Sequence, residues 1–390
     1  MSTGISIVGS GHTKFGRLQE NLEELIVAAT REAVEESGIN PADIDAVFLG
    51  HFNSGLVSDG FPSSLIHQAY PQLRFKPGMR AENACASGSA AIHAGINAIQ
   101  AGKARTVLIV GAEKMTSRST SEVTAALAGA GYQNNPDEAA LSFPQVFGVA
   151  AREYEARYTS PLDAMAQIAV KNHANAMANP LAQMHKEFTF EHCSTVSDSN
   201  PEIAPPLRLA DCSLITDGAA AVVLTTNENS RNFPRSVSIR AATHVSDFLP
   251  ISSRDFLAFE GPELAFTKAF ESAGVKLENI DFAEVHDCFT IAELLIYEAM
   301  GLTPKGQGAR ALEEGTVYRE GALPVNLSGG LKAKGHPVGA TGVSMYVLAY
   351  RQLTGQAGDI QKPGANLGLV FNMGGTAVAN YASILEARKS

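Results

Sequence analysis

One stretch of this chain occurs twice, and that duplication limits the possible folds more than any other feature. Ser37-Gly38-Ile39-Asn40-Pro41-Ala42-Asp43-Ile44-Asp45 leads into an apolar run and then into Gly50-His51-Phe52. Ala273-Gly274-Val275-Lys276-Leu277-Glu278-Asn279-Ile280-Asp281 leads into another apolar run and then into His286-Asp287-Cys288. The Gly, the β-branched residue, the Ile and the final Asp agree at one constant offset. A second pair of segments, Gly218-Ala219-Ala220-Ala221-Val222 and Gly375-Thr376-Ala377-Val378-Ala379, matches in the same manner. Two copies are too few for a stacked solenoid, which needs three or more. The expectation is a pseudo-two-fold pair of α/β units, 1–235 and 236–390, with a site where they meet. A chain of 390 residues is also too long for one simple core.

Short apolar runs alternate with helical periodicity. Strands are expected at Ile5 to Val8, Ala46 to Leu49, Val107 to Val110, Ala219 to Leu224, Val237 to Arg240, Phe282 to Val285 and Leu367 to Phe371. Helices are expected at Asn21 to Ser37, Ser87 to Gln100, Glu263 to Ala273 and Thr341 to Leu353. This alternation predicts parallel sheets covered by helices. Residues 116–210, rich in Ala, Asn, His and Met, interrupt the first unit and read as an inserted helical loop region that covers a site.

Composition removes several functional classes. The net charge is −10 and no more than two Lys or Arg are adjacent, so a broad basic face for nucleic acid is not expected. No stretch approaches the ~18 apolar residues of a membrane span, and the N-terminus lacks the apolar core of a signal peptide. The four cysteines, Cys85, Cys193, Cys212 and Cys288, form no Cys-x-x-Cys pair, so neither a zinc cluster nor a disulfide framework is expected. The expected setting is the reducing cytoplasm.

Four segments place reactive side chains among small residues, each at a strand or loop end that opens toward a helix. They are Asn83-Ala84-Cys85-Ala86-Ser87-Gly88, His286-Asp287-Cys288-Phe289, Gly335-His336-Pro337-Val338-Gly339-Ala340-Thr341-Gly342 and Asn372-Met373-Gly374-Gly375-Thr376. A thiol where a loop becomes a helix meets free N–H groups and the positive end of the helix dipole, which favours the nucleophilic thiolate. Gly9-Ser10-Gly11-His12-Thr13-Lys14 starts like a dinucleotide fingerprint, but Lys14 stands at the third glycine position.

These motifs together resemble the thiolase superfamily over essentially the whole chain. Asn83 to Gly88 resembles the nucleophile segment, and Gly111-Ala112-Glu113-Lys114-Met115 resembles the strand end that follows it. Asn326-Leu327-Ser328-Gly329-Gly330, leading into Gly335 to Gly342, resembles the signature of the second half. The chain departs from the common thiolases twice. His286-Asp287-Cys288-Phe289 stands for their Asn-Glu-Ala-Phe, and Asn372 stands for their second acid/base cysteine. The His-Asp-Cys-Phe form is similar to thiolases of the sterol-carrier-protein-X type and to archaeal thiolases.

The resemblance implies a thiolase fold, with two duplicated halves packed as a five-layer αβαβα sandwich. It implies thiolytic cleavage of a 3-ketoacyl-CoA or acetoacetyl-CoA, or the reverse Claisen condensation of acetyl-CoA. Cys85 is then the nucleophile, His336 its base and Cys288 the second acid/base. His286 stabilises the substrate thioester oxygen, and the N–H groups of Cys85 and Gly374 form a second oxyanion hole. Asn326, Ser328 and Gly335 shape the site, and Asp287 orients its neighbours or faces away. Coenzyme A is a co-substrate, with no tightly bound cofactor and no metal. Lys171 and Lys186 are candidates for contacts to its nucleotide. The resemblance also implies a homodimer or homotetramer, and a possible zinc-ribbon/OB-fold partner protein. Alternatives left open are another acyltransferase, a retro-aldolase acting on a CoA-linked chain, and a CoA-binding scaffold subunit.

Overall fold

A computed structural model describes residues 3–388. Its strands are β1 (Ile5–His12), β2 (Ala46–Gly50), β3 (Gly78–Ala81), β4 (Thr106–Glu113), β5 (Glu202–Ala204), β6 (Leu207–Arg208), β7 (Gly218–Thr226), β8 (Val237–Ser246), β9 (Phe282–Glu284), β10 (Leu367–Gly374) and β11 (Ala379–Ala387). The helices are α1 (Leu22–Ser37), α2 (Ser87–Gln100), α3 (Thr120–Ala128), α4 (Pro136–Ala139), α5 (Phe143–Arg157), α6 (Leu162–Ala176), α7 (Phe190–Ser194), α8 (Glu260–Ala273), α9 (Thr290–Ala299), α10 (Arg310–Glu313) and α11 (Val338–Leu353).

Local chemistry sets the helix ends. Asn21 caps α1: its side chain accepts the Glu24 N–H while the Glu24 carboxylate accepts the Asn21 N–H. Gly38 closes the helix in the left-handed region at φ 71°. The repeated segment ends α8 in the same way, at Gly274 with φ 63°. The recurring Gly of the duplication is therefore a helix stop in both copies.

Nine strands form one sheet in the order β3-β2-β4-β7-β1-β8-β11-β10-β9. β1, β2, β4 and β7 find their counterparts in β8, β9, β10 and β11 when the order is read outward from the β1–β8 pair. An isolated parallel bridge between Ala283 and Val325 takes the place opposite β3. The expected parallel sheets are corrected to mixed ones. β2 pairs in parallel with β3 and β4, and β10 with β9, but β7 and β11 run antiparallel to both their neighbours. The reason is connectivity: β11 returns directly from β10, with no helical crossover to turn it parallel. The second matched pair of segments is not equivalent in structure. Gly218 begins β7, whereas residues 375–378 form the turn between β10 and β11. The segment between β4 and β7, which holds α3 to α7 and the β5–β6 hairpin, lies where the second half has only that turn.

Side-chain alternation sorts the layers. Along β4, Leu108 and Val110 join Leu25, Ile26 and Ala29 of α1 in an outer core, while Val107 and Ile109 join Ile92 and Ile96 of α2 in the central one. α11 touches β4, β7 and β1 on one side and β10 and β11 on the other, and it packs on α2. It is buried on nearly its whole circumference, as a middle-layer helix must be. α8 covers β8 and β11 on the far side. The order α1, half-sheet, α2 with α11, half-sheet, α8 gives the five layers.

α2 and α11 approach through glycine. A Cβ on Gly342 would lie 2.4 Å from the Ser89 N, and one on Gly88 would lie 2.8 Å from the Val343 N. Gly342→Ala is therefore expected to lower stability by about 1–3 kcal/mol through overpacking. Gly60, which has nothing within 4 Å of its Cβ direction, should accept Ala with an unchanged melting temperature. Thermal unfolding of the two variants checks this.

Candidate active site

The α2–α11 contact brings the N-termini of the two helices together, with one reactive loop before each. Ahead of α2, Ala84 adopts φ 50°, a left-handed conformation unusual for a residue with a Cβ. Ser87 stabilises the turn by donating to the Ala84 carbonyl at 2.7 Å and accepting the Asn83 N–H at 3.0 Å. Asn83 is held from the other half, where its amide donates to the Tyr381 hydroxyl at 2.6 Å. Cys85 sits on this turn, half-buried against Val123, Leu127 and Val338.

Ahead of α11 lies His336. The Cys85 sulfur and one ring nitrogen each of His286 and His336 lie within 4.8 Å of one another. Hydrogen bonding sets the His336 tautomer. The Thr341 hydroxyl lies 3.0 Å from the Pro337 carbonyl and 2.7 Å from His336 Nδ1; donating its single proton to the carbonyl, the usual bond of a threonine in a helix, it accepts one from Nδ1. Nε2 is then a bare acceptor, buried and without a hydrogen-bond partner among the described residues. Burial, aided by the Lys334 charge, pushes His336 down to about 3. Burial pushes the Cys85 thiol up to about 12, with Glu113 and Glu82 adding to the effect and the Gly375 N–H opposing it. Burial thus works against the thiolate that the helix N-terminus favours, and toward a neutral thiol beside a neutral imidazole.

The Gly375 N–H acts on the Cys85 sulfur and lowers its pKa. Gly374 lies against the nucleophile turn, where a Cβ would come 2.2 Å from the Asn83 carbonyl. His286 meets His336 edge-on at 5.1 Å between ring centroids, and its Nδ1 faces the Asn372 amide at 2.8 Å. Cys288 is buried, close enough to Cys85 for their charged forms to oppose one another. Burial first, then Cys85 and Asp287, push its thiol well above the ordinary range, so it is a proton donor at rest.

The shaping residues act through backbone. Asn326 accepts the Val285 N–H at 2.8 Å and donates to Glu293 at 2.9 Å, which fixes the strand end just before His286. Ser328 donates to Glu284 at 2.5 Å, and its own N–H donates to the same carboxylate. Gly335 has φ 117°, and a Cβ there would lie 2.8 Å from the Thr216 side chain. Asp287 faces away from the reacting atoms. It accepts the N–H groups of Leu331 at 2.6 Å and Lys332 at 3.1 Å, tying the His286 loop to the His336 loop. Lys171 is corrected as a nucleotide contact: it is fully buried and paired with Glu293 at 2.9 Å. Lys186 is exposed and lies over the Phe188 ring.

Two further positioning groups are Thr216, which lies in no motif, and Glu113, which lies in the Gly111 to Met115 segment. The Thr216 hydroxyl accepts the His336 N–H at 3.0 Å and donates to Gln183 at 2.7 Å. The Glu113 carboxylate accepts N–H groups from Phe52, Asn53 and Gly339, joining β4 to both the first half and the start of α11. A cavity of about 320 Å³ reaches His336 and Phe289 from outside; Val123, Leu127, Phe143 and Leu209 wall it, and Arg17 stands at its edge. The trio of Cys85, His286 and His336 is also the one group of metal-ligand type found within such reach among the described residues.

This fold and this Cys–His arrangement define the class. Residues 5–203 match the thiolase N-terminal domain and residues 243–387 match the thiolase C-terminal domain-like family. The chain belongs to the thiolase family. It is 37% identical over 376 residues to an acetyl-CoA acetyltransferase of Methanothermobacter thermautotrophicus, covering 95% of this chain and 96% of that protein. It is 31% identical to sterol carrier protein 2 of Homo sapiens, covering 95% of this chain and 70% of that protein. The solved human mitochondrial 3-ketoacyl-CoA thiolase in complex with CoA superposes with a TM-score of 0.77 at 17% identity, over the full length of both chains. No helix among the described residues is long and apolar enough to cross a membrane.

Because Cys85 rests as a thiol, its alkylation by iodoacetamide should climb steadily from pH 6 to 9. A plateau beginning near neutrality would show a resting thiolate–imidazolium pair instead. Thr341→Val, which removes the partner of His336 Nδ1, should slow Cys85 acylation by about 10–100-fold, the loss seen when a histidine's orienting partner is removed in metal sites; stopped-flow acylation kinetics measure it.

Proposed function

We propose that this chain is an acyl-CoA acyltransferase that interconverts a 3-ketoacyl-CoA plus CoA with an acyl-CoA and acetyl-CoA through an acyl-Cys85 intermediate. The observation that carries the reading is the convergence of Cys85, His286 and His336 within 4.8 Å of one another, with His336 also lining a largely apolar cavity. About 320 Å³ suits a pantetheine arm with a short acyl group, at the small end of the range for ligand pockets. The name of the Methanothermobacter relative supports acetyl-CoA as a substrate.

In the direction of cleavage, His336 Nε2 takes the Cys85 proton as the sulfur attacks the 3-keto carbon. The N–H groups of Cys85 and Gly374 hold the alkoxide. The C2–C3 bond breaks, and its electron pair enters the enolate of acetyl-CoA. His286 stabilises the enolate oxygen, and Cys288 gives its proton to C2. Acetyl-CoA leaves. The thiol of the incoming CoA returns a proton to Cys288 and attacks the acyl-Cys85 carbonyl, and the imidazolium of His336 returns its proton to Cys85. The reverse sequence is Claisen condensation.

The walls contributed by residues 116–210 select acyl length in this reading. The homodimeric or homotetrameric state, the cytoplasmic setting and a zinc-ribbon/OB-fold partner that presents CoA are proposed on the family resemblance. Size-exclusion chromatography with light scattering and affinity co-purification test them.

Incubation with acetyl-CoA should add one acetyl group to Cys85, seen by intact-protein mass, and Cys85→Ser should remove the thioester. Cys288→Ala should keep this acetylation while acetoacetyl-CoA cleavage falls by about 10²–10⁴-fold, the usual range for loss of an acid/base group. Undiminished cleavage by that variant would assign the second proton transfer to another group.

A further inference from the structure

Asn372 has an arrangement of partners that the reaction scheme above does not use. It is fully buried at the end of β10. Its side-chain Nδ2 lies 2.8 Å from His286 Nδ1 and 3.4 Å from the Cys85 carbonyl, and its Oδ1 lies 2.7 Å from the Ser89 hydroxyl. The Cys85 carbonyl only accepts hydrogen bonds, so the amide atom facing it must be the NH₂ group. The reverse orientation would set two carbonyl oxygens against each other. Ser89 then donates to Oδ1. The room for this contact exists because residue 342 has no side chain: a Cβ there would lie 2.7 Å from Asn372 Oδ1.

A ring nitrogen that faces an N–H donor at 2.8 Å must be bare. His286 therefore carries its proton on Nε2. The assignment matters because this ring holds only one proton at rest. Its surroundings supply no stable charge to make it an imidazolium: the Cys85 thiol on the α2 side and the Cys288 thiol on its own loop are neutral, as is the His336 ring. The Asp287 carboxylate is turned toward the N–H groups of Leu331 and Lys332, and a positive charge on His336 would oppose one on His286. Burial itself holds His286 well below the ordinary imidazole range. A neutral ring of the other tautomer would present a lone pair to the enolate oxygen and repel it.

We infer that Asn372 is a positioning residue that locks His286 as the Nε2–H tautomer and so makes it a donor to the substrate thioester oxygen. This rests on the thiolase reading of the site and deepens it. Ser89 and the α2–α11 crossing orient Asn372, Asn372 sets the ring, and the ring meets the substrate. Asn372 occupies the position of the second catalytic cysteine of the resembled thiolases, so in this chain that position prepares a hydrogen-bond donor while proton transfer falls to Cys288.

Asn372→Asp and Asn372→Leu separate this role from packing. An aspartate keeps the size and the bond from Ser89 but accepts a proton from Nδ1, which forces the wrong tautomer when the ring is neutral. A leucine removes both bonds and leaves the tautomer free. At pH 8, Asn372→Asp should lose about 10²–10³-fold in condensation and cleavage, the usual cost of an oxyanion donor. Asn372→Leu should lose less. Both should still acetylate Cys85 from acetyl-CoA, since that step uses the N–H groups of Cys85 and Gly374.

The Asp variant should also regain activity as the pH falls. The carboxylate raises the pKa of His286, and the imidazolium present below that pKa carries N–H groups on both nitrogens. Leucine worse than aspartate with flat pH profiles would overturn the inference in favour of packing. Full activity of Asn372→Asp at pH 8 would also overturn it. If neither variant folds, ¹⁵N-histidine NMR of the wild-type protein decides: His286 should show a bare Nδ1 and a protonated Nε2, and the opposite pattern would refute the lock. Failure of wild-type Cys85 to accept an acetyl group would instead remove the thiolase reading beneath it, a result that these tautomer measurements do not produce.

Discussion

The contact between the start of α2 and the start of α11 is the constraint on which the site depends. Gly88 and Gly342 let the two backbones meet where any Cβ would fall within 3 Å of the opposing chain. Cys85 precedes one helix and His336 the other, so this single crossing brings a nucleophile from the first half to a base from the second. Nothing in either half alone completes the pair. Ser89, one residue past Gly88, also reaches Asn372 through the gap that Gly342 leaves, so the third and fourth reactive loops are referenced to the same crossing.

Around this point the protein removes water and replaces it with fixed hydrogen bonds. The consequence is a resting state without ions: Cys85 is pushed up to about 12 and His336 down to about 3. Separating charge in such a site is costly until a substrate oxygen is present to share it, in the proposed mechanism with the N–H groups of Cys85 and Gly374. The neutral pair thus ties thiol activation to the arrival of the carbonyl that is attacked. The nearby charged residues serve the frame. Lys171 with Glu293, and Asp287 on the Leu331 and Lys332 N–H groups, hold the two second-half loops at fixed separation.

Much of this was legible before any coordinates. The duplicated Gly-x-x-x-x-x-Ile-Asp pattern located equivalent helix ends at Gly38 and Gly274, because a left-handed helix stop is a local property. Ser87 to Gln100 is readable to the residue, and the segments that carry Cys85, His286, Cys288 and His336 stand out by their family resemblance; the proximity of Cys85, His286 and His336 is what the fold adds. Properties set by distant partners were not. Sheet direction depends on which strands become neighbours, and alternation along the chain does not encode that. Lys171 is buried because Glu293 faces it across the fold. Thr216 holds the His336 backbone from a segment with no motif of its own. The protonation of Cys85 depends on how far the surrounding chain shields its sulfur from water, which a helix start in the sequence does not reveal.

The central claim is that the acyl group rests covalently on Cys85 between two separate half-reactions. A single-turnover experiment tests it most directly: excess enzyme is mixed with acetoacetyl-CoA in the absence of free CoA, and released acetyl-CoA is quantified by rapid quench. The account predicts one equivalent of acetyl-CoA per substrate before any CoA is added, and a second equivalent when CoA follows. Absence of release until CoA is present would contradict it and would place both thiols in one concerted step.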